Sequence, residues 1–192
     1  KPINEFGGSI GQALLHYKKQ LDDARNAPTA ESVDQNSPME KRLLEWIQKT
    51  SIYTKYSDSF EIIPQFELGK YLKSIDPGYQ HPYYKVDFLI RLKDYGEVHQ
   101  FIIEYDGFAY HFLEGEEVNS LNWRSYLTPK DVERECILES YGYKMIRVNR
   151  FNMGKDPVSS LDQKLKDLID EYVNVKKKSE QSPDSERRRQ RA

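Results

Sequence analysis

At 192 residues, with 38% hydrophobic and 31% charged side chains, the chain suits a soluble domain with one core and polar segments to spare. A formal net charge of −2 excludes a protein that coats nucleic acid by bulk charge, but not an enzyme whose acidic site offsets basic residues elsewhere. No apolar run approaches the roughly 18 residues of a membrane span, and no signal-peptide pattern is present.

The chain begins with Lys1 rather than Met, which reads as a piece of a larger protein. Residues 8–26 carry Ile10, Leu14, Tyr17, Leu21 and Ala24 at helical spacing and predict a narrow helical arm, followed by an aperiodic linker to residue 36. The compact part is expected from Ser37: Ser37-Pro38-Met39-Glu40 is a capping box with proline at the first helical position. FEIIPQFEL then reads as a strand that Pro64 bulges or places near an edge, and SIDPGYQHP as turns. YYKVDFLIRLK and HQFIIEYD form two strands of a hairpin, with a turn signal at Asp94–Glu97. After a polar loop at 113–128, Thr128-Pro129 opens a helix that Gly142 stops. Cys136, the single cysteine, lies in that helical pattern and reads as packing; it fits a reducing, intracellular (cytoplasmic) setting. YKMIRVNRF is a further strand, and a final amphipathic helix starts at Asp156. From Lys176 the sequence is charge-rich, with KKK at 176–178 and RRRQR at 187–191, and a disordered tail is expected. The order α-β-β-β-α-β-α gives an α/β domain over 37–175, a central sheet flanked by helices.

The stretch FIIEYDGFAYHF carries the chemistry. In a strand, Phe101, Ile103 and Tyr105 point one way and Ile102, Glu104 and Asp106 the other. Two neighbouring carboxylates at the end of an apolar strand repel each other, so something must compensate them. Asp87, inside the apolar VDFLI strand, is equally costly to bury alone. If Asp87 and Glu104 share a face, they make an oxygen cluster suited to a hard divalent cation. Other residues keep two readings. Glu40 is explained by its capping box, Asp106 by turn chemistry before Gly107, and His111 as a polar tip between aromatics. Asp131 and Arg134, three apart on a helix, fit a surface pair; Gln65 fits a place beside the site. Arg147 and Arg150, three apart, read as edge residues. Tyr79, Tyr83, Tyr84 and the FAYHF rings fit core packing, with base stacking as the alternative.

VDFLI, IIEYDGFAYH and DVERECILESYGYKMIRV together resemble the PD-(D/E)xK (restriction-endonuclease-like) nuclease superfamily, in particular the branch containing the very-short-patch repair endonuclease. The resemblance covers roughly residues 37–173. It implies a mixed sheet between helices and a Mg²⁺-dependent endonuclease acting on DNA, with Mn²⁺ as a substitute, in a larger repair or defence protein and targeted by a neighbouring domain or partner. Position by position it makes Asp87 and Glu104 metal ligands, with Glu40 contributing from the first helix. Asp106 stands where the archetype has lysine; His111, Arg134, Lys85 or Lys130 are the replacements the resemblance leaves open, His111 as proton carrier and Arg134 as phosphate contact. An inactive nucleic-acid or protein binding module and an RNA-cleaving relative are the rival functions.

Overall fold

The structure, a computed structural model, describes residues 37–94, 97–113 and 117–180. The predicted arm and linker, the centre of the hairpin turn (Tyr95 and Gly96) and the RRRQR run lie outside these residues.

Ser37 caps α1 (Pro38–Lys49) as its sequence requires: its Oγ accepts from the Glu40 amide at 3.3 Å, and Pro38 occupies a first-turn position that needs no donor. Thr50 ends α1 and caps the short α2 (Ser51–Lys55) through its hydroxyl. β1 (Phe60–Phe66) contains Pro64, which lacks a ladder donor, and β1 accordingly lies at a sheet edge. Beside it Gln65 has φ of 53°, the left-handed region, where a side chain costs about 1 kcal/mol or more.

A helix missing from the predicted order follows, α3 (Leu68–Ile75). Leu68, Tyr71, Leu72 and Ile75 do keep helical spacing, but over only eight residues. β2 (Val86–Asp94) and β3 (Glu97–Tyr105) form the expected hairpin, with Asp94 opposite Glu97. One helical turn, α4 (Phe108–His111), and a 3-10 turn (Trp123–Tyr126) occupy the stretch before α5 (Pro129–Ser140). Gly142, at φ 89°, ends α5 as predicted: its amide donates to Glu139 O and the next amide returns to Leu138 O. Cys136 faces solvent on α5 rather than packing. β4 (Lys144–Val148) then joins β3 in parallel, and α6 (Pro157–Glu180) closes the described chain. Lys176–Lys178, expected to begin a disordered tail, are helical in α6; neither Gly nor Pro interrupts the segment.

The sheet order is β1-β2-β3-β4, with two antiparallel pairings and one parallel, so the mixed sheet is as expected. Strand alternation divides its apolar side chains. Phe88, Ile90, Phe101, Ile103, Ile146 and Val148 pack with α1, α2 and α6, while Leu89, Ile102 and Met145 pack with α3, Leu138 of α5 and Tyr79. The result is a three-layer α/β/α domain. Among the described residues no helix is long and apolar enough to cross a membrane.

Candidate functional site

The register answers the question the acidic strand raises. The pairing of β2 with β3 ends at Phe88 opposite Ile103; Asp87 and Glu104 are the next residues on each strand, near enough that the Asp87 charge raises the Glu104 carboxyl. Directly opposed residues share a face. Across the parallel pairing Glu104 is matched with Arg147, so these two share one. Asp106, two residues beyond Glu104, continues on that face, the one covered by α3 and α5.

Glu104 has a side chain only 4% exposed. Its carboxylate is gripped by Arg134 of α5: Nη1 donates to Oε2 at 2.9 Å and Nη2 donates to Oε1. Burial nevertheless pushes this carboxyl up to about 7, against the pull of Arg134 and with help from the Asp87 charge. Asp87 is half-buried and its Oδ2 accepts the Tyr105 amide at 2.9 Å; burial raises its carboxyl above the usual range, opposed by that hydrogen bond and by Arg134. Arg134 Nη2 also donates to the Lys85 carbonyl at 2.8 Å, and its guanidinium lies 5.5 Å from the centre of the Tyr84 ring. The segment supplying these contacts is pinned by α3. Gly69 donates to Tyr84 O at 2.8 Å, and a Cβ at Gly69 would come within 2.4 Å of the Tyr83 and Tyr84 backbone.

Asp106 belongs to a second, closed group. Arg147, with a side chain 0% exposed, clasps it through Nε–Oδ2 at 2.8 Å and Nη2–Oδ1 at 2.7 Å. The same Nη2 donates to Asp131 Oδ1 at 2.9 Å, and Nη1 reaches Glu135 Oε2 at 3.3 Å. Asp131 is placed by the helix cap. Its amide donates to Thr128 Oγ1 at 3.2 Å, and Thr128 Oγ1 donates back to its Oδ2 at 2.6 Å. His111 completes the group, with Nδ1 2.8 Å from Asp131 Oδ1 and 3.9 Å from Asp106 Oδ1. Burial pushes Asp131 up, but hydrogen bonds from His111, Thr128 and Arg147 outweigh it and hold the carboxyl well below the usual range. As an ionised acceptor Asp131 fixes the His111 tautomer, Nδ1–H toward the carboxylate, and its hydrogen bond raises the imidazole above its ordinary value.

Several expectations are corrected by this geometry. Arg147 is no edge residue but a wholly buried side chain. Asp131 and Arg134 are not paired with each other; each turns inward to a different carboxylate system. Asp106 is not merely turn chemistry, since it is buried and doubly bonded by Arg147. Of the replacements for the archetypal lysine, Lys85 gives Arg134 a carbonyl and Lys130 is exposed; the cation set on Asp106 is Arg147. Glu40 stands on α1, and its carboxylate accepts from Gln65 Nε2. Gln65 lies between Pro64 and Phe66, whose partners Phe88 and Val86 flank Asp87 in sequence. Tyr79 is buried core, Tyr83 is exposed, and Arg150 lies over Phe108 and Phe151 at 4.4 and 4.8 Å. Glu135 and Arg147 are the site residues that sequence reasoning passed over. A signal existed for Arg147: an arginine inside MIRV is as costly to bury as an aspartate inside VDFLI.

The two groups differ in fitness for a metal. Asp106, His111 and Asp131 offer ligand atoms within 4.8 Å of one another. However, Arg147 already bonds both carboxylates, and His111 turns the nitrogen that would face an ion toward Asp131. That group does not fit a metal while Arg147 is in place. Asp87 and Glu104 fit better: both are hard oxygen donors, the Asp87 charge acts on Glu104, and the Arg134 guanidinium is bonded to Glu104 alone. Compared with protein-family models, curated proteins and solved structures, the chain matches none.

Proposed function

We propose that this chain is a metal-dependent nuclease domain of the PD-(D/E)xK type that hydrolyses phosphodiester bonds in DNA. The observation that carries the reading is the closeness of Asp87 and Glu104, next to each other on β2 and β3 where their pairing ends, with Asp106 two residues beyond. The three-layer architecture and mixed sheet agree with it. Asp87 and Glu104 would hold Mg²⁺ or Mn²⁺; Glu40, the further ligand the resemblance implies, is bonded to Gln65. A bound divalent ion supplies Lewis-acid polarisation of the phosphodiester and stabilises charge on the leaving oxygen.

The chain's own groups supply the rest. His111 holds its Nδ1 proton on Asp131, which leaves Nε2 to take a proton from water or return one to a leaving oxygen. Its side chain is 27% exposed, open enough for exchange. Arg147 neutralises Asp106 and keeps that carboxylate from repelling an incoming phosphate. A neighbouring domain or partner would direct the domain to its target.

A rival is favoured by one observation, the grip of Arg134 on Glu104: a nuclease-like module whose acidic row is internally neutralised and only binds. Supercoiled plasmid incubated with Mg²⁺ or Mn²⁺ separates the two. The wild type is expected to nick or linearise it, and Asp87→Asn and Glu104→Gln to lower the rate on the order of a hundredfold or more. Equal cutting by both variants rejects the site; no cutting by any protein favours the binding module. Labelled RNA in parallel tests the RNA-cleaving alternative.

A further inference from the structure

Arg134 and Arg147 donate to the strand-end acids Glu104 and Asp106, but only one of the two is locked there. Arg147 is completely enclosed and distributes its three nitrogens among Asp106, Asp131 and Glu135. Arg134 comes from the surface of α5 and keeps 15% of its side chain exposed. Its hydrogen-bond acceptors are Glu104 and a single backbone carbonyl, and its buried Nε has no hydrogen-bond partner. Its place is therefore incompletely satisfied. It bonds only one of the two acids near it, because Asp87 takes its hydrogen bond from the Tyr105 amide. With both carboxylates ionised a guanidinium contributes +1 against −2, and a divalent cation would cancel the pair.

We infer that Arg134 is a displaceable counter-ion, which occupies the carboxylate of Glu104 until a divalent cation takes it and then leaves its guanidinium at the mouth of the site. This rests on the nuclease reading above and adds to it a positioning residue that sets cation affinity. Arg134 competes with the ion for the same oxygens, so removing its charge strengthens ion binding. A ligand-orienting partner or a purely structural residue would do the reverse, because Glu104 would lose the group that holds it in place. The proposal also assigns Arg134 a free role afterwards, toward a phosphate oxygen, which its planar fork suits.

Mn²⁺ binding, measured calorimetrically and by loss of the free-ion electron paramagnetic signal at neutral pH without nucleic acid, tests this on wild type, Arg134→Gln, Arg134→Lys and Asp87→Asn. Arg134→Gln is expected to bind Mn²⁺ on the order of tenfold more tightly than wild type. Arg134→Lys, which keeps the charge and loses the fork, is expected to fall between them. Asp87→Asn is expected to lose the site. Unchanged or weaker binding by Arg134→Gln, with wild type binding and Asp87→Asn not, overturns the counter-ion role and leaves the metal site standing. Absence of Mn²⁺ binding in wild type and in both Arg134 variants overturns the metal reading and this inference together. Should Arg134→Gln fail to give a cooperative melt, Arg134→Lys decides alone: tighter binding than wild type supports displacement, and equal or weaker binding overturns it.

Discussion

Two carboxylate–guanidinium groups lie side by side on one face of the sheet, bonded in similar forks but differently enclosed. In the group of Asp106, Arg147, Asp131, Glu135 and His111, the arginine is sealed between β4 and α5 and each acid has two or more donors or a capping hydroxyl. In the group of Asp87, Glu104 and Arg134, the one arginine bonds Glu104 alone and remains partly open to water. The first has the properties of a structural network, because each acid in it is held by two or more donors, Glu135 taking its second from Arg124 at 3.1 Å, around a wholly buried arginine. In the second Asp87 receives no guanidinium, so with both acids ionised one negative charge is left for a cation to meet. Burial alone does not distinguish them; the number of partners per charge does.

The largest expected effect tests the closed group. Arg147→Met would leave Asp106 and Asp131 buried without their cation and cost about 3–5 kcal/mol. For a domain of this size that lowers the melting temperature by about 10 °C. Arg134→Met should cost clearly less, since Glu104 can take up a proton instead. Thermal unfolding of both variants in chelator measures the difference, and equal losses would erase the distinction between the groups.

The next effect sharpens the open group through pH. Folded Glu104 keeps its proton up to about 7, whereas in the unfolded chain it ionises near 4.5. Between these values the folded state binds more protons, so this residue's contribution to stability falls as pH rises. Glu104→Gln removes that loss. The variant should therefore gain on wild type from about pH 4.5 to 7, by at most a few kcal/mol, and hold a constant difference above that. Urea unfolding at several pH values in chelator follows it; a difference that does not change with pH would mean that Glu104 is ionised throughout.

The smallest effect concerns His111. Its folded value is raised, first by the hydrogen bond to Asp131, so its stabilisation is full below about 6.5 and is lost as pH rises through the folded value. In Asp131→Asn the hydrogen-bonding carboxylate is gone, and proton NMR should show His111 titrating at lower pH than in wild type. An unshifted His111 resonance would remove Asp131 from any role in holding the imidazole.

Legibility in the sequence followed how local the cause was. Ser37, Thr128 and Gly142 each set a helix end within a few residues, and each does so in the structure. The 101–106 alternation was readable because a strand has a fixed period of two, and Pro64 announced an edge. α3 was missed because eight residues give too little repeat to separate a helix from a turn-rich connection. In the site, Asp87 and Glu104 stood out as charges inside apolar runs, but their partners did not. Arg134 lies 30 positions from Glu104 and Arg147 lies 41 from Asp106, and no spacing rule links such pairs.

By itself the sequence determined the alternation along β3, the capped starts of α1 and α5 and the positions of the acids, because these depend on backbone geometry over one or two turns. Only the tertiary structure decided that Val86 packs with Leu89 rather than with Phe88, that Glu104 stands against Arg147, and which arginine meets which carboxylate. The physical reason is that charge compensation acts through space: α5 and β4 bring distant residues within 3 Å of the acids, and the energy of that meeting depends on burial that no short segment contains.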